Sequence, residues 1–212
     1  MRTAHDMAAQ AMAQMPQQFR FTATDAQVLA RYRSVLLSLE SAFVKGFYDI
    51  AFGHPATAAV FQEGERPMRE QTLAEWWRRT VGADVDDDYF AWMAMVGLAH
   101  VLREVTNPMM LAMTDHIWRF AFEHLNTILG LPPRDPDQVQ ATDLATEMRM
   151  LEVLFAFSRL GTTVGAVIAH GYGEATSSAL YEVAGMPDAL VKRLRDREVT
   201  AALRADRARL RR

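Results

Sequence analysis

Six histidines and no cysteine set the range of chemistry open to this chain of 212 residues. Without thiols there is no disulfide framework, zinc–thiolate site, iron–sulfur cluster or thiolate-held iron. HExxH, GxSxG, P-loop and GxGxxG-plus-acid patterns are also missing, so an ordinary hydrolase, kinase or dehydrogenase is hard to build. Carboxylates are plentiful, but no pair stands out as a catalytic acid and base. Among the histidines, His5 lies in the N-terminal stretch and His54 in the Gly53-His54-Pro55 break, while His116 and His124 are eight apart and His170 abuts Gly171. His100 keeps different company. The segment MVGLAHVLREV places Val96 and Gly97 one turn before it and Met93 two turns before, on one helical face. An imidazole on an apolar face either hydrogen-bonds locally as a core residue or ligates a metal, and both readings stay open at this point. Gly97 leaves room for something flat to approach the helix.

The elements that must position these residues are helical throughout. No segment shows sustained alternation of apolar and polar residues. A first amphipathic stretch covers about residues 3–16. Thr24-Asp25 offers an N-cap to a long run through Val28, Leu29, Tyr32, Leu36, Leu39, Phe43, Phe47, Tyr48 and Ile50. After the break at Gly53-His54-Pro55 comes a short helix, Ala56–Phe61. Pro67 then sits in the first turn of a helix running to about Thr80. The cluster Asp84, Asp86, Asp87 and Asp88 suits the N-terminus of the helix that carries His100 to about Val105. Asn107-Pro108 opens another helix ending at Gly130, before Pro132-Pro133; a long helix begins near Asp143, and a last one spans about 187–211. This makes roughly eight helices in an all-α chain.

Composition narrows the setting. The N-terminus has no uninterrupted apolar stretch, which predicts no signal peptide. The most apolar window, Val153 to Ala169, is interrupted by Arg159 and reads as a buried helix rather than a membrane span. A soluble cytoplasmic protein with no nucleic-acid or membrane partner is the expectation. Residues 186–212 carry 9 basic and 4 acidic side chains, against 14 and 22 in the rest. That tail reads as a solvated helix, with an acidic partner or a membrane surface as the alternative. Gly161, Gly165, Ala169 and Gly173 recur every four residues, a ridge that lets another helix approach closely, either within the chain or from a second copy.

The succession FYDIAFGHPATAAVF, a helix with EQT, and DYFAWMAMVGLAHVLREVTNP resembles the globin domain of globin-coupled sensors and protoglobins. The positions that carry the likeness are Phe47-Tyr48, His54-Pro55, Gly97-Leu98-Ala99-His100 and Pro108, with Tyr48 52 residues before His100 and Thr72 28 before it. The likeness covers about residues 24–180. It implies an all-α globin fold with an N-terminal extra helix (1–18), a globin-sensor domain (19–182) and a basic C-terminal helical extension (183–212). It also implies haem b, with His100 as the proximal iron ligand and a second group fixing its other ring nitrogen. Tyr48 would face the opposite side of the haem and donate to bound O2, with Thr72 joining the same network. Met68 and Trp76 lie one turn either side of Thr72, while Phe47, Met93 and Val96 would pack on the porphyrin. No histidine stands on the helix bearing Thr72, which departs from the commonest globin gate.

Functionally, the resemblance implies reversible binding of O2, or of NO or CO, by a gas sensor. It further implies a homodimer through the C-terminal core helices. Since the chain ends after one long helix and a basic tail, signalling through a separate protein is expected. A haem enzyme consuming NO or peroxide, and a haem-free globin-fold interaction scaffold, are the alternatives.

Overall fold

Helix starts follow hydroxyl and acidic caps. Thr3 and Asp6 close a reciprocal capping box on α1 (Ala4–Gln14), which buries Met7, Ala8 and Ala11. A 3-10 turn, Gln17–Phe19, leads to α2 (Ala23–Arg31). Its cap is Thr22, paired with Asp25 in a second box, two residues earlier than Thr24. The apolar run expected as one helix is three: α2, α3 (Arg33–Ser38) and α4 (Glu40–Gly53). The break before α4 coincides with the indole N–H of Trp77 donating to the Leu36 carbonyl at 2.8 Å, a side chain taking an acceptor from the ladder.

The chain continues through α5 (Pro55–Ala58), α6 (Arg66–Val81) and α7 (Asp87–Leu102), the last capped by Asp86. Glu104, in the left-handed region at φ 58°, ends α7 soon after His100, and the Val105 N–H returns to the His100 carbonyl at 3.0 Å. The next stretch also divides, into α8 (Asn107–Glu123) and α9 (Leu125–Leu129). At the joint, His124 donates its Nδ1–H to the Phe120 carbonyl (3.0 Å). Then come α10 (Leu144–Ala184) and the largely exposed α11 (Asp188–Leu210). The computed structural model describes residues 2–132 and 143–210, with backbone only at 188 and 205–210; these residues form helices and no strand. Pro133 and the last two arginines of the basic tail lie outside the described residues.

The core gathers around α10, which packs on α1, α2, α7 and α8. By length and composition α10 could cross a membrane, but Val153, Phe157, Leu160, Val164, Val167 and Ile168 are buried in the protein, as expected of a core helix. Arg159, the charge that interrupts this run, donates its Nε–H to the buried Asp25 at 2.9 Å. Thr163 accepts the backbone N–H of Phe21 (2.8 Å), holding the segment before α2 against the same helix.

Of the two neighbours the small-residue ridge could admit, the structure shows the one within the chain. Gly161 and Gly165 face Thr114 of α8, so the ridge serves an intrachain crossing, and Gly173 faces open space. The closest approach lies elsewhere, between α7 and α10. A Cβ on Gly97 would stand 2.5 Å from the Ile168 carbonyl oxygen, and one on Gly171 would be 3.3 Å from that of Ala94. What Gly97 admits is therefore the α10 backbone rather than a flat ligand. Gly97→Ala should then cost about 1–3 kcal/mol by overpacking. Gly173→Ala, with nothing to meet within 4 Å, should gain up to about 1 kcal/mol of helix propensity. Urea unfolding of the two variants checks the contrast.

Candidate functional site

Between α6 and α7, two helices that share no extended contact, lies a cavity of about 260 Å³ walled also by α4, α8 and α10. Its lining is overwhelmingly apolar. Phe43, Phe47, Tyr48 and Ala51 come from α4, Met93 and Val96 from α7, Met110, Met113 and Ile117 from α8, and Val164 and Ile168 from α10. Behind it, Phe43 stacks on Trp77 with centroids 4.2 Å apart and meets Phe120 edge-on, giving the wall a rigid backing.

Of the residues singled out from sequence, Phe47, Tyr48, Thr72, Trp76, Met93, Val96 and His100 line this cavity together. Met68 does not; it is 56% exposed. The face that α6 turns inward is Arg69, Thr72, Leu73 and Trp76. Met68 is eight residues from Trp76, a drift of about 80° around a helix, enough to carry it out of the wall.

His100 is the histidine on the cavity wall. Burial, with Arg69 and Arg103 adding to it, holds its pKa down at about 4, so the ring is neutral around pH 7. Its Nδ1 lies 3.2 Å from the hydroxyl of Tyr172 on α10. Among the other histidines, the Nε2–H of His116 donates to the Phe43 carbonyl (3.2 Å), while His124 is tied to its own helix and His5 reaches Asp88 at the surface.

The polar groups expected on the α6 side are partly engaged. Tyr48, 6% exposed and with its pKa pushed up to about 12 by burial, donates its O–H to the Arg69 carbonyl at 2.9 Å. The Thr72 hydroxyl donates back to the Met68 carbonyl (3.1 Å). The indole N–H of Trp76, in contrast, is buried beside the Tyr89 hydroxyl without a well-formed hydrogen bond.

Glu65 joins the two sides. Its carboxylate accepts Arg69 Nε–H at 2.8 Å and Arg103 at 2.7 Å, both from arginines lining the cavity, together with the Gln62 backbone N–H at 3.0 Å. The start of α6 is thus clasped to the end of α7. Neither Tyr172 nor this clasp was legible beforehand: Tyr172 is 72 residues from His100, and Glu65 is 38 from Arg103.

Helices enclosing an apolar cavity with one imidazole on its wall are consistent with an all-α globin fold. A family model described as Protoglobin matches residues 8–140, and the chain belongs to that family. No curated protein and no solved structure matches it.

The clasp titrates. The Gln62 N–H first, and then Arg103 and Arg69, hold the Glu65 pKa down at about 2, below its ordinary 4.5. A carboxyl depressed on folding contributes stability that is complete above the unfolded value and is lost as pH falls towards the folded one. Thermal unfolding of the wild type should therefore weaken between about pH 4.5 and 2. Glu65→Gln should be less stable at neutral pH and should have a shallower acid limb; an identical limb would remove Glu65 from that role.

Proposed function

We propose that this protein binds haem b through His100 and reversibly takes a diatomic gas, O2 or else NO or CO, as a cytoplasmic sensor acting through a separate protein. The observation that carries the reading is a neutral, largely buried imidazole on an apolar cavity wall, with Nδ1 3.2 Å from the Tyr172 hydroxyl, so that Nε2 would be the nitrogen for the metal. Among the described residues no group of three metal-ligating side chains exists, so one imidazole fits a metal that brings its own macrocycle. The residues present suit that group. Phe47, Met93 and Val96 offer apolar surface to the ring, and the arginines held by Glu65 lie where anionic side groups could exchange for that carboxylate. Bound there, the haem would supply an iron with an open position for a gas.

This chain's own residues would do the rest. His100 holds the metal, and the aromatic and methionine wall excludes water. Tyr48 is the gas-side donor after exchanging the Arg69 carbonyl for the ligand, with Thr72 beside it. A hydrogen bond of this kind favours a ligand that draws negative charge, with about 1–3 kcal/mol for a charge-assisted contact.

A homodimer is part of the proposal, and exposed apolar stripes support it. On α10, Leu144, Met148, Leu151 and Phe155 stand exposed at helical spacing; on α8, its packing neighbour, Leu111, Trp118 and Phe122 do the same. Trp118 and Phe122 stack on each other with centroids 5.3 Å apart. Such stripes mark association surfaces on soluble proteins.

Two measurements test the reading. The wild type should show a Soret band after haem reconstitution, and His100→Ala should lose stoichiometric haem or hold it only with added imidazole; undiminished haem in that variant would exclude His100 as the ligand. Phe155→Glu should lower the dimer fraction in light scattering while haem uptake persists. A monomeric wild type would remove the dimer.

A further inference from the structure

Tyr172 reaches His100 from a different helix, and both residues stand beside the close approach of Gly97 and Gly171. Gly171 lies against Gly97, with its added Cβ 3.5 Å from the Gly97 Cα; Tyr172 is the next residue along α10, and His100 is one turn beyond Gly97 on α7. The ring centroids are 6.4 Å apart at 54°, so the contact is made by the hydroxyl rather than by stacking. A neutral imidazole has one ring proton. If the tyrosine O–H donated to Nδ1, that proton would sit on Nε2 and no lone pair would face the cavity. If Nδ1–H donates to the phenol oxygen, Nε2 presents its lone pair. Tyr172 is half-buried, so its own O–H can donate to water.

We propose that Tyr172 is the positioning residue of His100: its oxygen accepts the Nδ1–H, fixing the tautomer and the ring plane so that Nε2 is free to ligate iron. The inference rests on the haem reading above. It also makes α10 a direct partner of the iron ligand, since the ring cannot turn without breaking or moving this bond. A residue that accepts from a ligating histidine typically changes metal affinity by roughly 10- to 100-fold when removed.

Tyr172→Phe keeps the ring and deletes the oxygen. In the ferrous, gas-free protein the iron–histidine stretching band should shift to lower frequency, because the imidazole loses its acceptor. Haem should also dissociate at least about tenfold faster. Tyr181→Phe, an exposed tyrosine further along α10, is the control and should change neither. An unshifted band at equal haem content would overturn the proposal. If the wild type takes up no haem, the parent reading fails separately, and nitrogen NMR of His100 in the haem-free protein decides for Tyr172. A predominantly Nδ1-protonated ring in the wild type, lost in Tyr172→Phe, supports positioning; the same tautomer mixture in both would overturn it.

Discussion

The backbones of α7 and α10 touch at Gly97, and most of the site depends on that approach. Glycine inside a helix costs about 1 kcal/mol relative to alanine, so its place here is justified by what its missing side chain permits. With the Ile168 carbonyl where a Cβ would be, α7 cannot slide or rotate on α10 without a clash. His100, one turn on, then has a fixed direction, and Tyr172 has a fixed distance from it. Met93 and Val96 face the cavity from the same helix while Gly97 faces α10, so packing face and cavity face are adjacent strips of a single element.

Around that contact, charge is handled by pairing. Asp25 is almost fully buried, yet it closes the Thr22 cap and accepts from Arg159. Glu65 does the corresponding work at the start of α6, joining the two arginines on the cavity wall. Removing one member of such a cluster leaves its partner unsatisfied, which costs more than the pair is worth in isolation. The polar groups inside the apolar body thus specify which helix ends meet, while burial supplies the stabilisation.

Much of this was legible in the residues, and the failures have physical causes. Helical periodicity and caps announced the helices, and the face shared by Met93, Val96 and His100 announced the wall. The breaks at Tyr32, Leu39 and His124 were hidden, because no glycine or proline marks them and the apolar pattern runs through. Met68 was misplaced by a fraction of a turn, since spacing by fours drifts around a helix. The glycine ridge was seen, but spacing cannot say which neighbour a small residue admits; Gly161 and Gly165 admit α8, and it was Gly97 and Gly171 that marked the closest crossing. Tyr172, Arg69 and Arg103 carry no local signal, because their roles exist only once distant segments meet.

Met93, Met109, Met110 and Met113 together form a sulfur-rich quarter of the cavity wall. Thioether side chains are unbranched and polarizable, so this quarter can re-form around guests of different outline more readily than leucine or isoleucine would. It is also the part of the wall open to oxygen-atom transfer. A sulfoxide there would place a strong dipole and a new stereocentre inside an apolar surface, changing its shape and wetting it. The softness that would let the wall fit a guest is therefore the property that oxidation of these thioethers would remove.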